Sequence, residues 1–271
     1  MPSALGRVNI SSNFPPLGEL KGALLTLNLK RLNLSTLLKA LIYKSTGSWY
    51  SAKDEAGKIF NARIKGIFKI DGINSTNPIA VGDYVELDEE DNSETAIITK
   101  IYDRHNYVAR VSPANKNRHH IIASNLDQSM LICTLKQPKT SQGFIDRFLI
   151  SCEAYHVPAI LVFNKVDVYR EKEMDVLKVW EEMYGSLGYK ILCTSVPQQE
   201  GIKEVQELLQ NKTTLLSGHS GVGKTSLINT IFPDVNLRTK EVSGWSGKGM
   251  HTTTFAQMYD YPGGGAVIDT P

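Results

Sequence analysis

The stretch LLSGHSGVGKTSLINTIF, residues 215–232, decides how this chain is read. Gly218-His219-Ser220-Gly221-Val222-Gly223-Lys224-Thr225 satisfies G-x-x-x-x-G-K-[ST] at every position. The apolar TTLL run before it reads as a strand, and the residues from Lys224 to Phe232 read as a helix. Glycines let the backbone fold so that several N–H groups face a phosphate, and the helix N-terminus adds positive potential there. The candidate phosphate-binding set therefore runs from Ser217 to Ser226: Ser217, Gly218, His219, Ser220, Gly221, Val222, Gly223, Lys224, Thr225 and Ser226. In this pattern Lys224 reaches the β- and γ-phosphates as a point charge, a catalytic role, and the Thr225 hydroxyl ligates Mg²⁺. A domain of this type usually opens with such a loop, yet here it begins at residue 218 of 271.

What surrounds the loop tells one purine from another. Upstream, the apolar run PAILVF leads into Asn164-Lys165-Val166-Asp167. That places these residues at the carboxyl end of a strand, where open α/β sheets bind ligands. A carboxylate at Asp167 can accept from guanine N1–H and from its exocyclic amine. Adenine lacks both donors and would leave a desolvated carboxylate unpaired, at about 1–3 kcal/mol. Lys165 can lay its apolar stem along the base. The CTS at 193–195 ends the next strand, and N–H groups at Thr194 and Ser195 are candidates to meet the guanine carbonyl. Downstream, SGWSGKGMHTTTFAQ reads as a mobile loop that orders on nucleotide. His251 is the candidate to position water. One of Thr252, Thr253 and Thr254 should complete the Mg²⁺ site; the residues leave the choice open, and Thr253 is taken as the candidate. Asp269 follows the apolar AVI and can hold Mg²⁺ through water.

The rest of the chain supplies context. With 271 residues, 41% of them hydrophobic, there is material for one large or two modest domains. A net charge of +2 says little about partners. Cys133, Cys152 and Cys193 follow no C-x-x-C spacing and read as core residues in a reducing, cytoplasmic setting. No apolar run approaches the roughly 20 residues of a membrane span. Residues 1–38 are Leu-rich and acid-poor; they read as an extension with no fold of its own, with an organelle transit peptide as the alternative. Residues 39–115 carry short-strand signals, including a turn at Asp54–Gly57 and the alternation Val81, Asp83, Val85, Leu87. They predict a small all-β barrel of OB type. The stretch DRHNYVARVSPANKNRHH then brings Arg104, Arg110, Lys116 and Arg118 together with Tyr107, a pattern suited to RNA contact, or else a solvated linker.

From residue 116 strands and helices alternate as in a doubly wound α/β domain with a mostly parallel sheet. The parts of a GTPase are all present but in an unusual order: base recognition first, then phosphate loop, switch threonines and Mg²⁺ aspartate. That is a circular permutation of the Ras-like order.

With VGDYVEL, IIASNLDQSMLI, IDRFLISCE, FNKVD, SGHSGVGKTSLIN and GKGMHTTT in sequence, residues 40–271 resemble the RsgA (YjeQ) family of small-ribosomal-subunit biogenesis GTPases. The resemblance implies an OB domain touching rRNA, a permuted GTPase domain using GTP/GDP and Mg²⁺, stimulation of hydrolysis by the small (30S) subunit, and a monomer. It also implies a Cys/His zinc-binding domain whose Zn²⁺ ligands do not occur here, so residues 116–271 are expected to be a C-terminally incomplete GTPase domain. In the family a hydrophobic residue stands where Ras-like enzymes carry their water-orienting glutamine, which shifts attention to His251. The rivals are an ATP-using P-loop enzyme and an RNA-binding assembly module with an inactive or truncated nucleotide site.

Overall fold

The computed structural model describes residues 38–64, 77–89, 95–111, 119–232 and 256–270. The extension through residue 37, the switch residues His251, Thr252, Thr253 and Thr254, and the basic residues Lys116 and Arg118 lie outside the described residues.

Strands β1 (Leu38–Ser45), β2 (Tyr50–Asp54), β3 (Ile59–Ile64), β4 (Tyr84–Glu89) and β5 (Thr95–Ile101) pair in the order β1-β2-β3-β5-β4, and β4 returns to β1. The circle closes without an edge, as in an OB-type barrel. Period-2 patterning drives it: Ala40 and Ile42, Ala52, Phe60 and Ala62, Val85 and Leu87, Ala96 and Ile98 all point inward and are buried. Each large aliphatic or aromatic side chain buried this way contributes about 1.5–3 kcal/mol.

The second layer system is a sheet of β8 (Gln128–Cys133), β9 (Ala159–Asn164), β10 (Lys190–Thr194), β11 (Lys212–Ser217), β12 (Gln257–Asp260) and β13 (Gly265–Asp269), in the order β10-β9-β8-β11-β13-β12. All neighbours are parallel except β12, which runs antiparallel to β13. Every residue of β8 is buried, because helices cover both faces. On one face α1 (Gln142–Ala154) and α2 (Glu171–Ser186) set Ile145, Leu149, Leu177, Trp180 and Tyr184 against Leu131, Cys133, Leu161 and Phe163. On the other, α3 (Ile202–Leu209) and α4 (Lys224–Ile231) set Val205, Leu209, Leu227 and Ile231 against Met130, Ile132, Val162 and Leu216. The phosphate-loop strand β11 thus sits mid-sheet, with the earlier strands β8–β10 on one side and the later β12 and β13 on the other. This is the permuted, mostly parallel α/β sheet that the motif order predicts.

Barrel and sheet are continuous. β1 pairs antiparallel with β12 at Lys44 and Gln257. An apolar cluster, including Val81, Leu126, Leu215, Met258 and Ile268, spans the junction. Asp260 at the end of β12 accepts hydrogen bonds from Tyr43 and Lys53 of the barrel, both at 2.5 Å. Of the basic stretch, the described residues pair as an antiparallel hairpin, β6 (Tyr107–Val111) with β7 (His119–Ser124). Asn77 locks it to the barrel side through reciprocal bonds with the Ile121 backbone, 2.9 and 3.0 Å. Gly82 allows a close approach to β7: a Cβ there would lie 2.1 Å from the Ser124 carbonyl oxygen.

Candidate functional site

The predicted nucleotide residues come together at the carboxyl edge of the sheet. Four strand ends deliver them: β9 ends at Asn164, β10 at Thr194, β11 at Ser217 and β13 at Asp269. Parallel register puts Thr194 beside Asn164 and Asp269 beside Leu216, one residue before Ser217. A turn spanning Gly218–Gly223 then feeds α4, which opens at Lys224.

Within the loop, Lys224 is half-buried and its Nζ donates back to the Gly218 carbonyl oxygen. Burial lowers its pKa below the ordinary lysine range, and the nearby Asp269 charge opposes that shift. Thr225 follows at the start of α4, and Asp269 is buried at the end of β13. His219 stacks its ring on Phe144 of α1, with centroids 3.9 Å apart, so its side chain is held toward that helix.

Asn164 and Lys165 fasten the base motif to this loop. Asn164 Nδ2 donates to the Val222 carbonyl oxygen at 2.9 Å, and its Oδ1 accepts from Thr194 Oγ1 at 2.9 Å. Gly223 must be glycine for this strap to fit, since its φ is +96° and a Cβ would lie 2.4 Å from Asn164 Nδ2. Lys165 takes a left-handed backbone, φ 64°, and its Nζ donates to the carbonyl oxygens of Gln137 (2.9 Å) and Gly221 (2.7 Å). Val166 packs partly buried into the α1–α2 cluster. Asp167 remains exposed, and its Oδ1 accepts from Ser195 Oγ at 2.7 Å. An exposed carboxylate held at one oxygen suits recognition of paired donors.

Several expectations change. The Ser195 N–H does not point at a base: it donates to the Glu200 carbonyl oxygen at 3.1 Å, because the strand edge continues as a bridge to Glu200. The side chains of Thr194 and Ser195 instead donate to Asn164 Oδ1 and Asp167 Oδ1. Arg104 leaves the RNA-contact set altogether. It is buried against Asp83, with Nε to Oδ1 at 2.6 Å and Nη2 to Oδ2 at 2.5 Å, and it also donates to the Pro78 carbonyl oxygen at 2.9 Å. A guanidinium committed on both edges has no fork left for a phosphate. Arg110, on β6, is exposed; it stands across from His120, whose pKa is lowered by burial first and by the Arg110 charge second.

Sequence reading missed three contributors. The Thr134–Thr140 loop brings Gln137 to Lys165, and Pro138 lies against Gly221. Tyr169 donates to the Asn164 carbonyl oxygen and accepts from Leu135 N–H, both at 2.9 Å, bridging that loop to the base motif. Phe144 carries the His219 stack. None has a motif of its own; the only hint was a lysine long enough to reach across the site.

The residues fit a guanine nucleotide with Mg²⁺. The glycine cradle and Lys224 are of the kind that would hold phosphates, and Thr225 and Asp269 offer oxygens of the type Mg²⁺ prefers. Among the described residues no group of three His, Cys, Asp or Glu could hold a metal by itself. Mg²⁺ would thus depend on Thr225, Asp269 and the phosphates together. Among the same residues no helix is long and apolar enough to cross a membrane.

Fold and site together define a circularly permuted P-loop GTPase fused to an OB-type barrel. Comparison with known proteins narrows this. The RsgA GTPase family profile matches residues 101–271, and that of the RsgA N-terminal domain matches residues 39–98. A Cytophaga hutchinsonii protein named small ribosomal subunit biogenesis GTPase RsgA is 51% identical over 235 residues, 86% of this chain and 76% of that one. Its Flavobacterium psychrophilum namesake is 48% identical over 236 residues, 86% and 72% of the two chains. Among solved structures, YjeQ from Thermotoga maritima matches with TM-score 0.65 and 30% identity, over 87% of this chain and 74% of that one. YloQ, described as a circularly permuted GTPase, matches with TM-score 0.60 and 29% identity, over 87% and 71%. The chain belongs to the RsgA GTPase family, whose members are hydrolases using guanine nucleotide and Mg²⁺. The match favours a GTPase over an assembly module with a spent nucleotide site.

Proposed function

We propose that this chain binds GTP through Ser217–Ser226 and Asp167, hydrolyses it when engaged by the small ribosomal subunit, and acts in late maturation of that subunit as a cytoplasmic monomer. The observation that carries the reading is the strap at the sheet edge: Asn164 and Lys165 tie the guanine-reading Asp167 to the phosphate loop. Base and phosphate ends of one nucleotide are thereby held on one rigid frame. The barrel part, to residue 115 and with Arg110, contacts RNA, joined by Lys116 and Arg118 at the start of the GTPase part, residues 116–271; the extension before β1 is assigned to neither.

In the mechanism, Lys224 holds the β- and γ-phosphates and offsets charge that grows there as the bond to the leaving oxygen breaks. Mg²⁺, when bound, supplies further neutralisation of that charge, with Thr225, Thr253 and Asp269 as the residues that would hold it. His251 orients the attacking water. Asp167 contributes binding and selection rather than chemistry.

The test is turnover of GTP with and without purified small subunits. Wild type should be slow alone and faster with subunits. His251→Ala should lose the stimulated rate while keeping GTP affinity; an unchanged stimulated rate removes His251 from the mechanism. Turnover that ignores the subunits removes the ribosomal role.

A further inference from the structure

The barrel's outer face carries aromatic rings and ammonium groups that neither the nucleotide site nor the barrel core uses. Lys39 on β1 holds its Nζ 4.7 Å from the Tyr84 ring centroid and 5.6 Å from that of Tyr102. Lys100 on β5 lies 5.1 Å from the Tyr102 ring. Tyr84 is 40% exposed, on the outward row of β4. Beside it runs a groove of about 490 Å³ over β1, β2 and β4, lined by Lys39, Leu41, Tyr43, Lys53 and Tyr84.

Two of those lining groups are already committed. Tyr43 and Lys53 are bonded to Asp260. Tyr84, Tyr102, Lys39 and Lys100 remain as the outward set. Glu86 stands across from both lysines in register and accepts a hydrogen bond from Thr99. Asp54 and Glu55 rim the far side of the groove. The acids repel phosphates at that rim.

We propose that Tyr84 and Tyr102 form a stacking platform for unpaired bases of single-stranded RNA, with Lys39 and Lys100 as its phosphate contacts. A ring backed by a cation on one face is a platform for a base on the other, and ring-held ammonium groups keep N–H donors free for phosphate. Duplex RNA offers no base faces to such a surface; an acidic peptide would use the lysines and leave the rings idle. The inference rests on the reading that the barrel contacts rRNA, and it adds a second contact face to the one read at Arg110, Lys116 and Arg118.

The experiment uses the full chain and a fluorescent single-stranded RNA 12-mer of mixed sequence, titrated at several salt concentrations. Tyr84→Ala with Tyr102→Ala should weaken binding about tenfold and leave the salt slope alone. Lys39→Ala with Lys100→Ala should reduce the slope of log affinity against log salt by about one. GTP binding by the same variants should match wild type, which shows that they fold. Nitration read by mass spectrometry should modify Tyr84 in the free chain and not in the RNA complex. The proposal is overturned by variants that bind RNA like wild type, by Tyr84 already protected in the free chain, or by protection with a poly-glutamate peptide and not with RNA. If wild type binds neither RNA nor small subunits, the reading of the barrel itself fails. If wild type binds and the variants are inert to the change, only this face is wrong.

Discussion

The sheet edge and the barrel solve the same problem, fixing polar groups in place, in opposite ways. At the edge, Asn164, Thr194 and Ser195 are buried, and their bonds, with those of Lys165, are spread over several partners beneath the exposed Asp167. In the barrel, one buried carboxylate gathers everything: Asp83 accepts from Arg104, from Ser124 Oγ at 2.6 Å and from Ala80 N–H at 2.8 Å. The first arrangement distributes modest bonds so that a ligand can enter and leave. The second concentrates them, and its failure is a folding failure. Polar networks of the same chemistry therefore serve function where they are spread beneath an open surface, and stability where they converge on one buried charge.

Breaking the hub should produce the largest effect. Arg104→Met leaves Asp83 charged and buried without its cation, and should destabilise the chain by about 3–5 kcal/mol in chemical denaturation. Next comes the phosphate side. Lys224→Ala should keep the fold and lower GTP turnover by about 10²–10³-fold, as loss of a positioned cation at a developing charge does. Asn164→Ala sharpens the contrast, since it removes the strap between base motif and phosphate loop. It should weaken nucleotide binding by about tenfold through a loosened loop, and, because Asn164 and its partner Thr194 are buried, cost about 1–3 kcal/mol in chemical denaturation. The smallest effect belongs to the exposed link between the regions. Asp260→Asn should change stability by about 1 kcal/mol or less, given its 55% exposed side chain. Its pH dependence has a definite sign. Burial pushes the Asp260 pKa up, but hydrogen bonds from Lys53 and Tyr43 and the Lys53 charge outweigh it, so the net shift is downward. The link therefore stabilises above the ordinary carboxylate range and is lost as pH falls through the depressed folded value. A pH series of wild type against Asp260→Asn should show the difference shrinking only in acid.

The legible parts were those written in contiguous residues. The phosphate loop, Asn164–Asp167 and the inward rows of the barrel strands each carry their physics within a few positions, so spacing alone revealed them. The permuted order was legible too, because motif order is sequence order. What could not be read were bonds between distant residues. Arg104 looked like one more cation in a basic stretch; its partner lies 21 residues upstream, and burial of Asp83 was disguised as strand alternation. Ser195 looked like a backbone donor until Glu200 closed on it. Tyr169 and Gln137 entered the site through packing, which no local pattern records.

The central claim is that Asp167, held by Ser195 and tied to the phosphate loop, makes this a guanine-selective site. Competition binding of GTP and ATP to wild type and to Asp167→Asn tests it most directly. Wild type should prefer GTP by about tenfold or more, and the variant should lose most of that preference with its thermal stability unchanged. Equal affinity of wild type for the two nucleotides, or a preference that survives the substitution, contradicts the account.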